Sequence, residues 1–138
     1  MPTQLRTTLH LKHNWQFTLG DAMGAQAPDF DDSAWQTVSV PHDWAIGGQF
    51  HRYNDIQFTR IVEDGEVGRS EHNGRTGGLP HVGVGWYRLR FEVAAETAQQ
   101  QAWLCFDGVM SNSMVYLNGV KVGERPFGYA SFNLSFLF

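Results

Sequence analysis

The sequence predicts an all-β fold, a sandwich of seven or more short strands joined by long loops. Aromatic residues make up 14% of the 138 residues and 15 glycines accompany them, a composition typical of strands joined by tight turns. Apolar residues recur at spacing two in several segments, as in strands with one buried face. The sequence contains no amphipathic helical stretch of ten or more residues and no internal repeat.

Two strands are predicted before residue 45. Trp15 and Phe17 fall on one face of the first strand. Residues 36–40, "QTVSV", form the second strand, which we expect to end at Pro41 because proline cannot donate to a sheet ladder.

Residues 45–84 are polar and rich in glycine, so we expect a long loop there. Only residues 55–62, "DIQFTRIV", have the composition of a strand within it. A loop of this length in a compact domain usually carries function or is mobile.

The strand signal becomes strong after this loop. Residues 85–93, "GWYRLRFEV", alternate strictly and predict a half-buried strand. Residues 102–109, "AWLCFDGV", are nearly all apolar and predict a central strand buried on both faces. Cys105 lies in this run, so we expect a small buried hydrophobe rather than a reactive thiol. A single cysteine excludes an internal disulfide.

The C-terminal third contains the sharpest turn signal. Asn118-Gly119 between two apolar segments predicts a hairpin, because a type I′ turn needs positive φ at both central residues. Residues 129–138 carry phenylalanine and leucine at spacing two up to Phe138. Because a final apolar strand leaves an open edge, we expect the natural sheet to continue and the last strands of the domain to be missing.

The charge and hydropathy patterns exclude several classes of partner. The net charge is −4 and the lysines and arginines are scattered, so no nucleic-acid partner is predicted. No segment approaches the roughly 20 apolar residues of a membrane span, so no membrane partner is predicted either. The first 20 residues lack the apolar core of a signal peptide, and we therefore expect a cytoplasmic protein.

No cofactor or metal is predicted. His10 and His13 are three residues apart but lack further ligands nearby. Gly83-Val84-Gly85 precedes a strand instead of following one, unlike a dinucleotide-binding fingerprint.

A histidine next to a carboxylate at His42-Asp43 raises the question of a catalytic couple. Neighbouring side chains on an extended chain point in opposite directions, so these two are poorly placed to bond each other. We therefore favour an interpretation in which one side chain holds the loop after Pro41 and the other faces solvent.

Three segments together resemble the N-terminal domain of glycoside hydrolase family 2 enzymes, especially bacterial β-galactosidases. They are "FDDSAWQTVSVPHDW", "GVGWYRLRFEV" and "LCFDGVMSNSMVYLNGVKVGERPFGYASFNLS". The resemblance implies one galactose-binding-like jelly-roll β-sandwich over residues 1–138. In that family an immunoglobulin-like domain and a (β/α)8 barrel follow, and the catalytic glutamates lie on the barrel. It therefore implies no catalytic residue in this chain.

The resemblance also implies residue roles. Asp43 would approach the sugar pocket from the side and form a hydrogen bond with substrate hydroxyls, while His42 and Trp44 would shape the same rim. Some relatives lend an acidic residue from the loop after the hairpin, here "ERPFGY", where Glu124 is the acidic residue. Four aromatic residues match the family as core: Trp86, Tyr87, Phe106 and Tyr129.

Three functions remain as hypotheses. The first is a non-catalytic domain of a retaining β-galactosidase, with a β-galactoside and the remaining domains of the enzyme as partners, and with self-association through the open sheet edge. The second is a free-standing carbohydrate-binding module with an aromatic platform of Trp44, Phe50, His51 and Tyr53. The third, a small enzyme using His42-Asp43, lacks an accompanying nucleophile or metal set.

Overall fold

The computed structural model describes residues 6–74, 83–96 and 100–137. Its secondary structure is almost entirely β, with one short 3-10 helix, Trp44–Gly47. The described strands are β1 (Trp15–Leu19), β2 (Gln36–Val38), β3 (Ile56–Glu63), β4 (Glu66–Asn73), β5 (Gly85–Arg88), β6 (Gln101–Phe106), β7 (Ser113–Leu117), β8 (Val120–Arg125) and β9 (Phe132–Leu137). Within the described ranges, no helix has the length and apolarity needed to cross a membrane.

The chain divides into two compact units. Residues 1–21 and 35–88 form the first unit, which holds β1 to β5 and the 3-10 helix. Residues 22–34 and 89–138 form the second unit, which holds β6 to β9.

A three-stranded antiparallel sheet, in the order β2-β1-β5, forms the centre of the first unit. Phe17 lies opposite Tyr87 on one side, and Trp15 lies opposite Val38 on the other. Phe17 is only 6% exposed, and Val38 is also buried. The strand predicted around Trp15 and Phe17 is therefore confirmed, and it carries the core of this unit.

Both neighbours of β1 are shorter than the sequence predicts. β2 ends at Val38, before Pro41, and β5 ends at Arg88 rather than at residue 93. β2 ends opposite Trp15, the first residue of β1, and β5 ends opposite Gln16, the second. Both strands therefore stop where their partner β1 begins. Beyond β2, the Val40 amide instead donates to the Lys12 carbonyl at 2.8 Å, and the peptide bond from Val40 to Pro41 is cis.

The prediction of one long loop over residues 45–84 is wrong for its middle part. β3 and β4 form an antiparallel hairpin with eight residue pairs, from Ile56 opposite Asn73 to Glu63 opposite Glu66. Asp64 and Gly65 make the turn with φ of 51° and 84°, as a type I′ turn requires. The segment "DIQFTRIV" was correctly predicted as a strand, but its partner β4 was missed.

In the second unit, β6 pairs antiparallel with β9 from Gln101 opposite Leu137 to Phe106 opposite Phe132. Exposure alternates along both strands, and Trp103 is 56% exposed. The prediction that this segment is buried on both faces is wrong, because the side chains on one face of β6, among them Trp103 and Cys105, are exposed. Cys105 lies on that face and is exposed, which corrects its predicted burial. Phe138 lies outside the described residues.

The predicted hairpin at Asn118-Gly119 is confirmed. β7 and β8 pair antiparallel around these two residues, which have φ of 48° and 85°. β8 also packs against β9. The backbone of Gly123 lies so close to the Leu134 side chain that a Cβ on Gly123 would overlap it.

An ion pair holds the loop of residues 22–34 to the rest of the second unit. Asp32 is buried, and both of its carboxylate oxygens accept hydrogen bonds from Arg90 Nη1, at 2.7 and 2.8 Å. Arg90 Nη2 also donates to the Phe30 carbonyl at 3.0 Å. The buried carboxylate is thus neutralised by a charged, hydrogen-bonded partner, as burial of a charge requires.

Candidate functional site

The segment after the cis peptide bond carries the candidate site in the first unit. Asp43 is the N-cap of the 3-10 helix, with extended backbone angles, and its Oδ1 accepts a hydrogen bond from the Ala45 amide at 2.9 Å. The Gly48 amide closes the turn on the Ala45 carbonyl at 3.0 Å. Asp43 itself is exposed, so its carboxylate is held in place by the backbone while facing solvent.

The side chains on either side of Asp43 pack on Phe17. The Phe17 ring centroid lies 4.9 Å from that of His42, 5.6 Å from that of Trp44 and 4.8 Å from that of Tyr87. We call these four residues the aromatic cluster. The cluster anchors the site segment to β1 and β5, because Phe17 and Tyr87 are opposite each other in the sheet.

A hydrogen bond joins the site segment to β5. His42 Nδ1 lies 2.7 Å from Tyr87 Oη, and the two rings meet edge to face with centroids 5.7 Å apart. Burial raises the pKa of Tyr87, and the nearby negative charge of Asp43 raises it further. The phenol therefore stays neutral at physiological pH and can hold the imidazole by a hydrogen bond.

His42 and Asp43 thus have different partners, Tyr87 and the Ala45 amide respectively. This geometry does not form a catalytic histidine–carboxylate couple, in which the carboxylate bonds the imidazole. The expectation that one side chain holds the loop while the other faces solvent is confirmed, because His42 bonds Tyr87 and Asp43 is exposed. The exposed Asp43 also accepts a hydrogen bond from the Ala45 amide, which the expectation did not include.

Trp44 occupies a space that only glycine leaves open. A Cβ on Gly85 would overlap the indole ring of Trp44, so the ring lies directly against the backbone at the start of β5. This contact explains the glycine before Trp86 in physical terms and fixes the indole in the aromatic cluster.

The other aromatic residues proposed as a platform lie after the 3-10 helix and are exposed. Phe50 is 73% exposed, and the rings of His51 and Tyr53 lie 5.3 Å apart. A shallow depression of about 220 Å³ lies beside Tyr53. It is lined by Arg52, Tyr53, Ile56, Glu71 and His72.

Glu124 lies in the second unit, on strand β8 rather than in a loop after the hairpin. Lys121 Nζ donates to its Oε2 at 2.5 Å. This hydrogen bond and the positive charge of Lys121 lower the pKa of Glu124. The predicted core position of Tyr129 is also wrong, because its side chain is 81% exposed beside Phe127, with the ring centroids 5.8 Å apart.

Sequence patterns did not identify the partners that build this site. The contact between His42 and Tyr87 spans 45 residues, and the fit of Trp44 to Gly85 spans a segment of similar length. The glycine before an aromatic strand was the one available signal, since glycine often marks close approach of a side chain to backbone.

The residues with described placement contain no group of three or more histidine, cysteine, aspartate or glutamate side chains arranged to hold a metal ion. The chemistry that the site offers is hydrogen-bond acceptance by an oriented carboxylate beside packed aromatic rings.

Comparison with known proteins gives a match over nearly the whole chain. The profile of the family described as "Glycosyl hydrolases family 2, sugar binding domain" matches residues 9–136. A β-galactosidase of Bacteroides ovatus is 40% identical over 120 residues, which cover 87% of this chain and 12% of that protein. A β-glucuronidase of Formosa agariphila is 25% identical over 127 residues, which cover 92% of this chain and 11% of that protein.

The fold is also similar to that of a solved structure. A β-glycosidase from Bacteroides vulgatus superposes with a TM-score of 0.71 at 32% identity, over 90% of this chain and 14% of that one. The likeness confirms the predicted β-sandwich class. This chain spans about 12% of the length of the first curated relative, so these relatives are much longer proteins.

Proposed function

The chain belongs to glycoside hydrolase family 2, as its N-terminal sugar-binding domain, and from this premise we propose that it forms one wall of the substrate pocket of a β-galactosidase. The domain contributes hydrogen bonds and shape to the pocket and no acid, base or nucleophile. Its partners in this proposal are a β-galactoside and the remaining domains of the enzyme.

The position of Asp43 carries the proposal. Its carboxylate is exposed and already oriented by the Ala45 amide at 2.9 Å. An ionised carboxylate offers about four acceptor positions, so one bond to backbone leaves acceptors for the hydroxyl groups of a sugar. His42 and Trp44 flank it and are held by Phe17, which keeps the rim rigid. Glu124 is proposed as a second acidic contact, on β8.

The reaction itself is proposed to take place on the rest of the enzyme. Retaining hydrolysis of a glycoside needs two carboxyl groups roughly 5–5.5 Å apart, one as nucleophile and one as acid and base. In this proposal, neither is Asp43, because it acts as a hydrogen-bond acceptor for the sugar and as a cap of the 3-10 helix.

Substitution of Asp43 in an enzyme carrying this domain tests the proposal. Asparagine caps a helix about as well as aspartate, so Asp43→Asn keeps the loop but removes the charge. We expect kcat/KM for a β-galactoside to fall roughly 10- to 100-fold, the effect of losing a hydrogen bond to a charged group.

Asp31→Asn is the matched control, because Asp31 Oδ1 accepts from the Ser33 amide at 3.0 Å in the same local geometry. An unchanged kcat/KM in Asp43→Asn, or an equal loss in the control, would contradict the proposal.

The chain alone is expected to show no turnover of a chromogenic β-galactoside. Turnover that persists through a second purification would show that the chain carries catalytic groups of its own.

The exposure of Phe50 and Tyr53 favours a second candidate function, a free-standing carbohydrate-binding module. Titration of the chain with galactose or lactose distinguishes the two. Saturable binding that is lost in Tyr53→Ala supports the module, whereas no binding up to high millimolar sugar supports a wall that needs the rest of the enzyme.

A further inference from the structure

The edge of β4 that faces away from β3 has no strand partner within the described ranges, where β4 pairs with β3 alone. In a hairpin with a two-residue turn, the residue pair that flanks the turn is hydrogen-bonded, and here that pair is Glu63 and Glu66. Hydrogen-bonded and non-hydrogen-bonded pairs then alternate along the two strands. The amide and carbonyl groups of Val67, Arg69 and Glu71 therefore point away from β3, unpaired, while those of Gly68 and Ser70 point towards it.

One face of the hairpin carries apolar side chains, two arginines and one glutamate. Phe58, Arg60, Val62 and their cross-strand partners share it, and Phe58 is 52% exposed. Arg60 lies directly opposite Arg69, and like charges in this position are destabilising. The Arg69 guanidinium lies over the Phe58 ring, 3.3 Å from its centroid.

The charges along the β4 edge fit a second copy of the same edge in one register. Two antiparallel β4 edges related by a two-fold axis pair about a central residue. Centring on Arg69 places arginine opposite arginine, and centring on Glu71 places glutamate opposite glutamate. Centring on Ser70 places Arg69 of each copy opposite Glu71 of the other, as a pair that exchanges backbone hydrogen bonds.

We propose that β4 is a self-recognition edge, which pairs antiparallel with β4 of a second copy about Ser70 to form a four-stranded sheet. A lone two-stranded hairpin is marginally stable in water, and the second copy supplies two further strands. Glu71 of the second copy neutralises the cluster of Arg60 and Arg69. This edge is distinct from the chain's final strand, where the sequence predicted self-association.

The charged edge would ordinarily deter pairing, as charges on natural edge strands do. Here the two charges are opposite in sign and two residues apart, so they repel in the registers centred on Arg69 and Glu71 and attract in the register centred on Ser70. The charge pattern therefore favours this register over those two.

Sedimentation equilibrium of the chain between about 10 µM and 1 mM, the range in which weak dimers form, tests the proposal. We expect a reversible dimer. Arg69→Glu and Glu71→Arg each place like charges opposite, and each should weaken the dimer at least about tenfold. An equimolar mixture of the two variants restores both attractive pairs, so it should associate within a few-fold of the original chain.

Glu63→Arg is the control, because it makes the same charge change on β3, which does not lie at the proposed interface, and should leave the dimer constant within about twofold. Hydrogen exchange gives a second measurement. The amides of Arg69 and Glu71 should slow as concentration rises, while those of Gly68 and Ser70 stay slow in every variant and report an intact hairpin. A chain that is monomeric throughout, variants that dimerise as the original does, or a mixture that does not associate would each overturn the proposal.

Discussion

The aromatic cluster and the β3–β4 hairpin belong to the same unit but are held together in different ways. In the cluster, Phe17 is 6% exposed and touches three rings from distant parts of the chain. In the hairpin, both faces are largely exposed and eight residue pairs follow from one local turn. Side-chain packing holds the first region, and backbone pairing holds the second.

This difference in packing indicates which parts of the unit are rigid enough to carry a site. Regions with few buried apolar contacts open locally at low free-energy cost, whereas core regions open only with the whole unit. Asp43 is attached to the rigid region through its neighbours His42 and Trp44. The hairpin, by contrast, would gain order from the second copy in the proposed dimer.

The largest expected effect is the difference in stability loss between truncating a phenylalanine in the aromatic cluster and truncating one in the hairpin. Phe17→Ala removes the centre of the cluster and should lower the free energy of unfolding by about 3–5 kcal/mol. Phe58→Ala, in the hairpin, should cost less than about 1 kcal/mol, mainly its contact with Arg69. Urea unfolding followed by tryptophan fluorescence measures both. Equal costs would mean that the two regions are packed alike.

A smaller effect is expected from filling the space under Trp44. Gly85→Ala places a Cβ in the indole ring, and overpacking of this kind costs about 1–3 kcal/mol. Gly83→Ala is the matched control, because nothing lies within 4 Å of the Cβ there. The midpoint of urea unfolding should fall in the first variant alone, and a similar fall in both would refute the fit.

The smallest effect concerns alkaline pH. The pKa of Tyr87 is raised in the folded state above its usual value of 10.0. Its contribution to stability is therefore complete below pH 10 and is lost as pH rises through the folded pKa. Tyr87→Phe should lower stability by about 1 kcal/mol at neutral pH through the lost hydrogen bond, and should flatten the decline above pH 10.

The exposed Tyr129 serves as the control for that experiment, since Tyr129→Phe removes a phenol at the surface. If Tyr129→Phe flattened the alkaline decline as much as Tyr87→Phe, the decline would not arise in the cluster.

Local turn chemistry was the most reliable guide to the fold. Asn118-Gly119 predicted its hairpin because both residues tolerate positive φ. Asp64-Gly65 makes an equivalent turn, but β4 was missed because its side chains are polar and no face is buried. The run around Trp103 misled in the opposite way, since apolar composition suggested two covered faces and the strand has one exposed face.

The role of residues 42–44 at the rim of a sugar pocket was implied by the resemblance and stays a prediction. The structure adds the contacts that hold these residues in place. Their partners Phe17, Tyr87 and Gly85 are brought together by strand pairing across long stretches of sequence. A pattern within a short window carries no information about such contacts, so these partners could not be predicted.

The cap at Asp43 has a consequence for the thermodynamics of the proposed sugar recognition. Ordering a free side chain at an interface costs roughly 0.5–1.5 kcal/mol of conformational entropy. The bond from the Ala45 amide to Asp43 Oδ1 means that this entropy is lost when the domain folds rather than when a sugar arrives. Preorganisation of this kind leaves more of each new hydrogen bond to appear as affinity, and it ties the stability of the 3-10 turn and the strength of recognition to a single carboxylate.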